Sequence, residues 1–162
     1  NDVIRSAMAL VRGPIRRLTV NINVSYGESL PYVVGDQQRL GQVVINLILN
    51  ACEALPDREH GVYISTNSNE DRTLVIIVVR DEGYGISPED LPRIMDPFFT
   101  TKRDRGGTGL GLSVSHGIIK DHGGTLEFTS EQGVGTTAVV KLPAEPQHAV
   151  SVDRYEDSYN GK

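Results

Sequence analysis

Apolar residues recur at helical spacing through Val3, Ile4, Ala7, Met8 and Val11 until Gly13-Pro14 breaks the pattern, which predicts an amphipathic helix over residues 2–12. Leu18, Val20, Ile22 and Val24 then alternate with polar residues, the period of a half-buried strand. Beyond the turn residues Gly27 to Pro31, Asp36 stands as a cap before a long helical pattern through Leu40, Val43, Val44, Leu47, Ile48, Ala51 and Leu55, closed by Pro56. Val62, Ile64 and Thr66 alternate again, and Thr73–Val79 is apolar almost throughout, as in a central strand covered on both faces. The polar link Asn67–Arg72 predicts a hairpin between them. Ser87-Pro88 predicts a short helix through Ile94, residues 100–109 a loop, and Leu110–Asp121 a helix stopped by Gly123-Gly124. Leu126 and Phe128 pair with Thr136–Leu142 in a second hairpin across Gln132–Gly135. Hairpins with helices between them predict an α+β fold, a mixed, mostly antiparallel sheet covered on one face by helices.

Composition narrows the setting. A chain of 162 residues is one domain with room for a real core but not for a second one. No apolar run reaches membrane-spanning length, and Asn1–Leu10 lacks the layout of a signal peptide, so a cytoplasmic domain without membrane contact is expected. Cys52 is the only cysteine, which excludes an internal disulfide and a zinc site of paired cysteines. A net charge of −5 and the absence of Trp argue against nucleic acid as a partner. The segment from Ala144 to Lys162 is polar and aperiodic and is expected to lie outside the core.

Three segments carry candidate chemistry. On the Asp36–Leu55 helix, Arg39, Gln42, Asn46, Asn50 and Glu53 form a polar stripe opposite the apolar face. Asn is a poor mid-helix residue, and its carbonyl is a neutral oxygen ligand of the kind Mg²⁺ accepts beside phosphates and water, although a solvated helix face would read the same way. Asp81-Glu82-Gly83-Tyr84-Gly85-Ile86 follows the central strand, where a carboxylate can accept from an exocyclic amine and glycines let a flat ring approach the backbone; a plain turn has the same composition. Gly106-Gly107-Thr108-Gly109-Leu110-Gly111-Leu112 opens a helix, where free amides and the helix dipole favour an anion, and Lys102, Arg103 and Arg105 stand just before it. A basic surface loop remains the alternative there. The glycine spacing matches neither the phosphate-loop nor the dinucleotide-binding pattern.

Taken in order, these segments resemble the ATP-binding catalytic domain of sensor histidine kinases, in the superfamily that also holds gyrase, the mismatch-repair ATPases and a heat-shock chaperone. Residues 39–54 are similar to the family's N box, Asp81–Ile86 to its first glycine box, Asp96-Pro97-Phe98-Phe99-Thr100-Thr101-Lys102 to its F box, Gly107–Leu112 to its second glycine box, and Gly133-Val134-Gly135-Thr136 to its last element. Glu53-Ala54-Leu55 and the F box look closest to the nitrogen-regulation branch. The resemblance implies a two-layer sandwich of the Bergerat type, with ATP beneath a mobile lid containing residues 96–109. It also implies three segments: an N-terminal helix over 1–13 that either leads in from a dimerisation domain or belongs to the module, a catalytic domain over 14–143, and a tail over 144–162.

The same resemblance assigns Mg²⁺ to Asn50 with support from Asn46, and the adenine amine to Asp81. Gly83 and Gly85 would line the base, and Lys102 with the amides of Gly107, Gly109, Leu110 and Gly111 would hold the phosphates. Ile86, Thr108, Leu112 and Thr136 complete the nucleotide-binding set, and Asn46 and Lys102 are the candidate catalytic residues. Glu82 departs from the Asn usual after the aspartate. None of His60, His116, His122 or His148 has the acidic-then-proline context of a phosphoacceptor, and His122 matches a structural helix-end position. The implied partners are therefore the dimerisation and phosphotransfer domain of the same kinase and a response regulator receiver domain, with membrane anchoring of the whole protein left open. The rivals within the superfamily are a serine kinase of the anti-sigma type and an ATP-hydrolysing machine, which carries a Glu where Asn46 stands.

Overall fold

The computed structural model describes residues 1–101 and 107–145, so Lys102, Arg103, Arg105, Gly106 and most of the polar tail lie outside the described residues. The elements follow as α1 (Asp2–Ile15), β1 (Asn21–Ser25), α2 (Gln37–Glu53), β2 (Gly61–Ser68), β3 (Leu74–Asp81), a single 3₁₀ turn (Leu91–Arg93), α3 (Gly111–Asp121), β4 (Thr125–Glu131) and β5 (Gly135–Pro143). The strands form one sheet in the order β1-β2-β3-β5-β4. β1 runs parallel to β2, and the other three pairings are antiparallel. This is the mixed, mostly antiparallel sheet that the sequence predicts.

The three helices cover one face of that sheet. Ile4, Ala7, Val11 and Ile15 of α1 and Val43, Val44, Leu47 and Ile48 of α2 share a core with Val62, Ile64, Val79, Val140 and Leu142 of the strands. Ile48 is 0% exposed, and burial of such a side chain contributes about 1.5–3 kcal/mol. α2 starts where it does because Asp36 accepts from the amides of Gln38 at 2.8 Å and Arg39 at 3.0 Å, which also holds its carboxyl below the usual range. His122 ties α3 to this start. Its Nδ1 donates to Ile118 O at 2.7 Å and its Nε2 accepts from Asp36 N at 3.0 Å, while Arg39 pairs with Asp121 at 2.7 Å.

Four local expectations are corrected. α1 continues to Ile15 through Gly13-Pro14, because the proline sits in the last turn and leaves only the carbonyl of the 71% exposed Leu10 without its helical donor, while Ile15 anchors in the core. β1 begins at Asn21, not Leu18, since the amides of Leu18 and Thr19 turn back to Ile15 O at 2.9 and 3.0 Å. The helix expected over Ser87–Ile94 shrinks to the 3₁₀ turn, which Asp90 precedes without a side-chain cap; Ser87 Oγ accepts from Asp90 N at 3.2 Å in the turn before it, and in a helix begun at Pro88 the residue Pro92 has no amide to donate to the Pro88 carbonyl. β3 is covered by helices on one face only. Its other apolar residues, Ile76 and Val78, are half-buried beside cross-strand neighbours, with Val78 opposite Ser65 and Val139.

Candidate functional site

Between α2, the ends of β3 and β5, and the start of α3 lies a cavity of about 410 Å³. That is room for a nucleotide-sized ligand. The polar stripe of α2 forms one wall through Asn46 and Asn50. Four residues apart on one helix face, they stack, and Asn50 Nδ2 donates to Asn46 Oδ1 at 3.5 Å while Asn46 Nδ2 donates to Ser115 Oγ at 3.0 Å. The amides are therefore oriented before any ligand arrives.

Asp81 forms the far end. It is 6% exposed, and its Oδ1 accepts from the backbone amides of Gly83 at 2.8 Å and Thr136 at 3.1 Å, so the carboxylate has a set direction. The turn after β3 is pinned from two sides: Tyr84 N donates to Ala54 O of the α2 end at 3.0 Å, and Gly133 N of the β4–β5 hairpin donates to Tyr84 O at 2.7 Å. Gly85 lies at φ +68°, and a Cβ there would stand 2.1 Å from Glu131 O, so only glycine lets the turn lie against the hairpin. Gly83 does not line the cavity. Its space is taken by Ala54 O, 2.6 Å from a notional Cβ, which is packing of the turn on α2. Glu82 also points elsewhere, accepting from Gly61 N at 2.8 Å and Tyr63 OH at 3.2 Å, which explains why a Glu is accommodated after Asp81.

Gly107, Thr108, Gly109, Gly111 and Leu112 line the side next to the start of α3, whereas Leu110 does not, its amide donating to Thr108 Oγ1 at 3.4 Å. No Lys or Arg lines the cavity among the described residues. Negative charge at this end would be met first by amide groups and the dipole of an eleven-residue helix. Ile86 and Thr136 line it as well. Phe98 holds left-handed backbone at φ +67°, unusual for a bulky residue, while donating its amide to Gly109 O at 2.9 Å; its ring is 67% exposed.

Sequence reasoning singled out the asparagines, Asp81, the glycines, Ile86, Thr108, Leu112 and Thr136, and missed Asp90 and the apolar floor of Leu47, Ala51, Val79, Ile94, Phe128 and Ala138. Those apolar positions carry core periodicity and nothing else. Ala138, a small residue in a strand of larger ones, was the one available signal that space is kept there. Cys52 lies just beneath, 1% exposed, and burial with the nearby Asp81 and Glu53 charges pushes its thiol up to about 11, so it stays protonated and unreactive.

Comparisons with known proteins agree with this geometry. A family model described as histidine kinase-, DNA gyrase B- and HSP90-like ATPase matches residues 35–146. Sensor histidine kinase ZraS of Escherichia coli (strain K12) is 39% identical over 143 residues, covering 88% of this chain and 30% of that protein. Sporulation kinase A of Bacillus subtilis (strain 168) is 43% identical over 122 residues, covering 75% of this chain and 19% of that protein. The chain thus spans less than a third of the length of either kinase. Among solved structures, the catalytic domain of histidine kinase ThkA superposes with a TM-score of 0.77 at 32% identity, covering 90% of this chain and 95% of that one.

Proposed function

Because this chain belongs to the histidine kinase-, DNA gyrase B- and HSP90-like ATPase family, we propose that it is the catalytic module of a sensor histidine kinase and passes the γ-phosphoryl of ATP to a histidine outside the described fold. Membership in an ATPase family implies ATP binding, and its relatives ZraS and sporulation kinase A extend well beyond the matched region. The finer roles are our reading. Adenine lies over the apolar floor with its exocyclic amine at Asp81, between Gly85 and Thr136, and the triphosphate runs to the amides that open α3. Lys102, just ahead of that segment in sequence, adds a cation for the phosphates.

Asn46 and Asn50 fit Mg²⁺: two half-buried, neutral amides offer a small number of oxygen donors and leave positions for phosphate and water. A bound Mg²⁺ would supply charge neutralisation on the phosphates. Asn50 is the direct ligand in this reading and Asn46 its support. The observation that carries transfer over hydrolysis is Asn46 itself. One helical turn before Asn50, at hydrogen-bond distance from it, stands an amide that cannot take a proton from water, so catalysis rests on positioning and charge neutralisation. Onward transfer to an aspartate of a response regulator receiver domain completes the proposal. Burial of Ile4, Ala7 and Val11 in the shared core supports counting α1 as part of the module.

The test is γ-labelled ATP incubated with the chain alone, then with an added dimerisation domain from a histidine kinase. We expect no label without the acceptor and an acid-labile phosphohistidine with it. An acid-stable label on serine or threonine, or rapid hydrolysis without acceptor, contradicts the proposal.

A further inference from the structure

Ser115 is a polar residue, 2% exposed, on the inner side of α3, where its buried neighbours are Ile118 and Ile119. A hydroxyl in such a place needs a partner. It has one across the fold, 69 residues back in sequence: Asn46 Nδ2 donates to Ser115 Oγ at 3.0 Å. An asparagine amide has two unlike ends, so committing its NH₂ fixes where its carbonyl points. Asn46 Oδ1 accepts from Asn50 Nδ2 at 3.5 Å, and this second commitment leaves Asn50 with its carbonyl oxygen for the cavity that it lines. One turn earlier on α3, Gly111 closes on the same amide, for a Cβ there would stand 2.5 Å from Asn46 Oδ1. α3 therefore holds Asn46 at two successive turns.

We propose that Ser115 is a positioning residue for the metal-binding amides: its hydroxyl anchors the Asn46 side chain where Gly111 packs against it, and through Asn46 presents the carbonyl of Asn50 to Mg²⁺. This rests on reading the cavity as a Mg²⁺-nucleotide site. Without the hydroxyl, the Asn46 amide can flip and direct its NH₂ at Asn50, which must flip in turn and direct its own NH₂ at the cation. A donor then faces a positive charge. Because α3 follows directly on Gly107–Leu110, the Ser115–Asn46 bond makes the seating of the phosphate-binding segment on α2 a condition for metal binding.

The experiment measures ATP affinity by calorimetry with Mg²⁺ and with EDTA for the wild type, Ser115→Ala, Ser115→Thr, Asn46→Ala and the Ser115→Ala/Asn46→Ala double variant, with melting temperatures alongside. Ser115→Ala is expected to lose about threefold to tenfold of the Mg²⁺-dependent tightening, the scale of one hydrogen bond, and to keep its affinity in EDTA. Ser115→Thr keeps the hydroxyl and should restore the tightening, and adding Ser115→Ala to Asn46→Ala should cost nothing further. The side-chain NH₂ resonances of Asn46, seen by nitrogen-15 NMR, should shift in Ser115→Ala without nucleotide. Equal loss of affinity in Mg²⁺ and EDTA, full retention of the Mg²⁺ effect, or additive losses in the double variant would each overturn the role. A wild type that binds ATP identically with Mg²⁺ and EDTA overturns the metal-site reading itself, and this proposal with it.

Discussion

Replacing Asp81 by asparagine separates what that carboxylate does for the fold from what we propose it does for the base. In the fold, one oxygen accepts from Gly83 N at 2.8 Å and Thr136 N at 3.1 Å, and asparagine keeps an oxygen for both. What changes is the other end, where an acceptor bearing negative charge becomes a neutral donor. Facing an exocyclic amine, that costs a charge-assisted hydrogen bond, about 1.5–3 kcal/mol at a site this buried. At 1.4 kcal/mol per tenfold, ATP should bind roughly 10- to 150-fold more weakly. Inosine triphosphate reverses the sign, because its ring carries a carbonyl where adenine carries the amine. The wild type should disfavour it, and Asp81→Asn should narrow or invert that preference. Calorimetry with both nucleotides on both proteins, with melting curves to show the fold is kept, is the measurement. Unchanged ATP affinity in the variant, or inosine triphosphate weakened in step with ATP, would refute the assignment of adenine to Asp81.

Gly85→Ala places a Cβ 2.1 Å from Glu131 O at φ +68° and is expected to destabilise the fold by about 2–3 kcal/mol, a drop of roughly 5–10 °C in melting temperature; an unchanged melt would contradict the packing of that turn. His60 Nδ1 and Asp57 Oδ1 lie 2.8 Å apart on the surface, and this hydrogen bond is the main cause that raises the His60 pKa above 6.5 and lowers that of Asp57 below 3.8. The Asp57 contribution to stability is present above 3.8 and lost as pH falls through its lowered value, while the His60 contribution is present below 6.5 and lost as pH rises through its raised value. The melting-temperature gap between wild type and His60→Ala should thus be largest between those limits and shrink as pH rises above them and in high salt, and a gap that grows with rising pH would refute the pairing.

Much of this was legible because the signals are local. Asp36 as cap, the stripe of Asn46 and Asn50, and glycines at the start of α3 each act within a turn or two of their own position, and the sequence shows them directly. Hidden were the contacts that cross the fold. Nothing near Ser115 in the chain indicates Asn46, nothing near His122 indicates the amide of Asp36, and Glu82 looked like a departure until Gly61 and Tyr63 came beside it. The end of α1 was misplaced for a related reason. Local propensity stops the helix at Gly13-Pro14, and tertiary burial of Ile15 carries it past them.

The hydrogen bond from Phe98 N to Gly109 O draws the two ends of the intervening segment together at its base. Once a loop is closed in this way, its length becomes a weak variable: doubling the number of residues between the joined ends adds only about 0.6 kcal/mol of closure entropy. Thr100, Thr101, Gly107 and Thr108 of that segment still line the cavity, so its sequence is tied to the site even where its length is not tied to the fold. A change of length between Phe98 and Gly109 then costs the fold little, and its consequences fall on the cavity rather than on the β-sheet and its core.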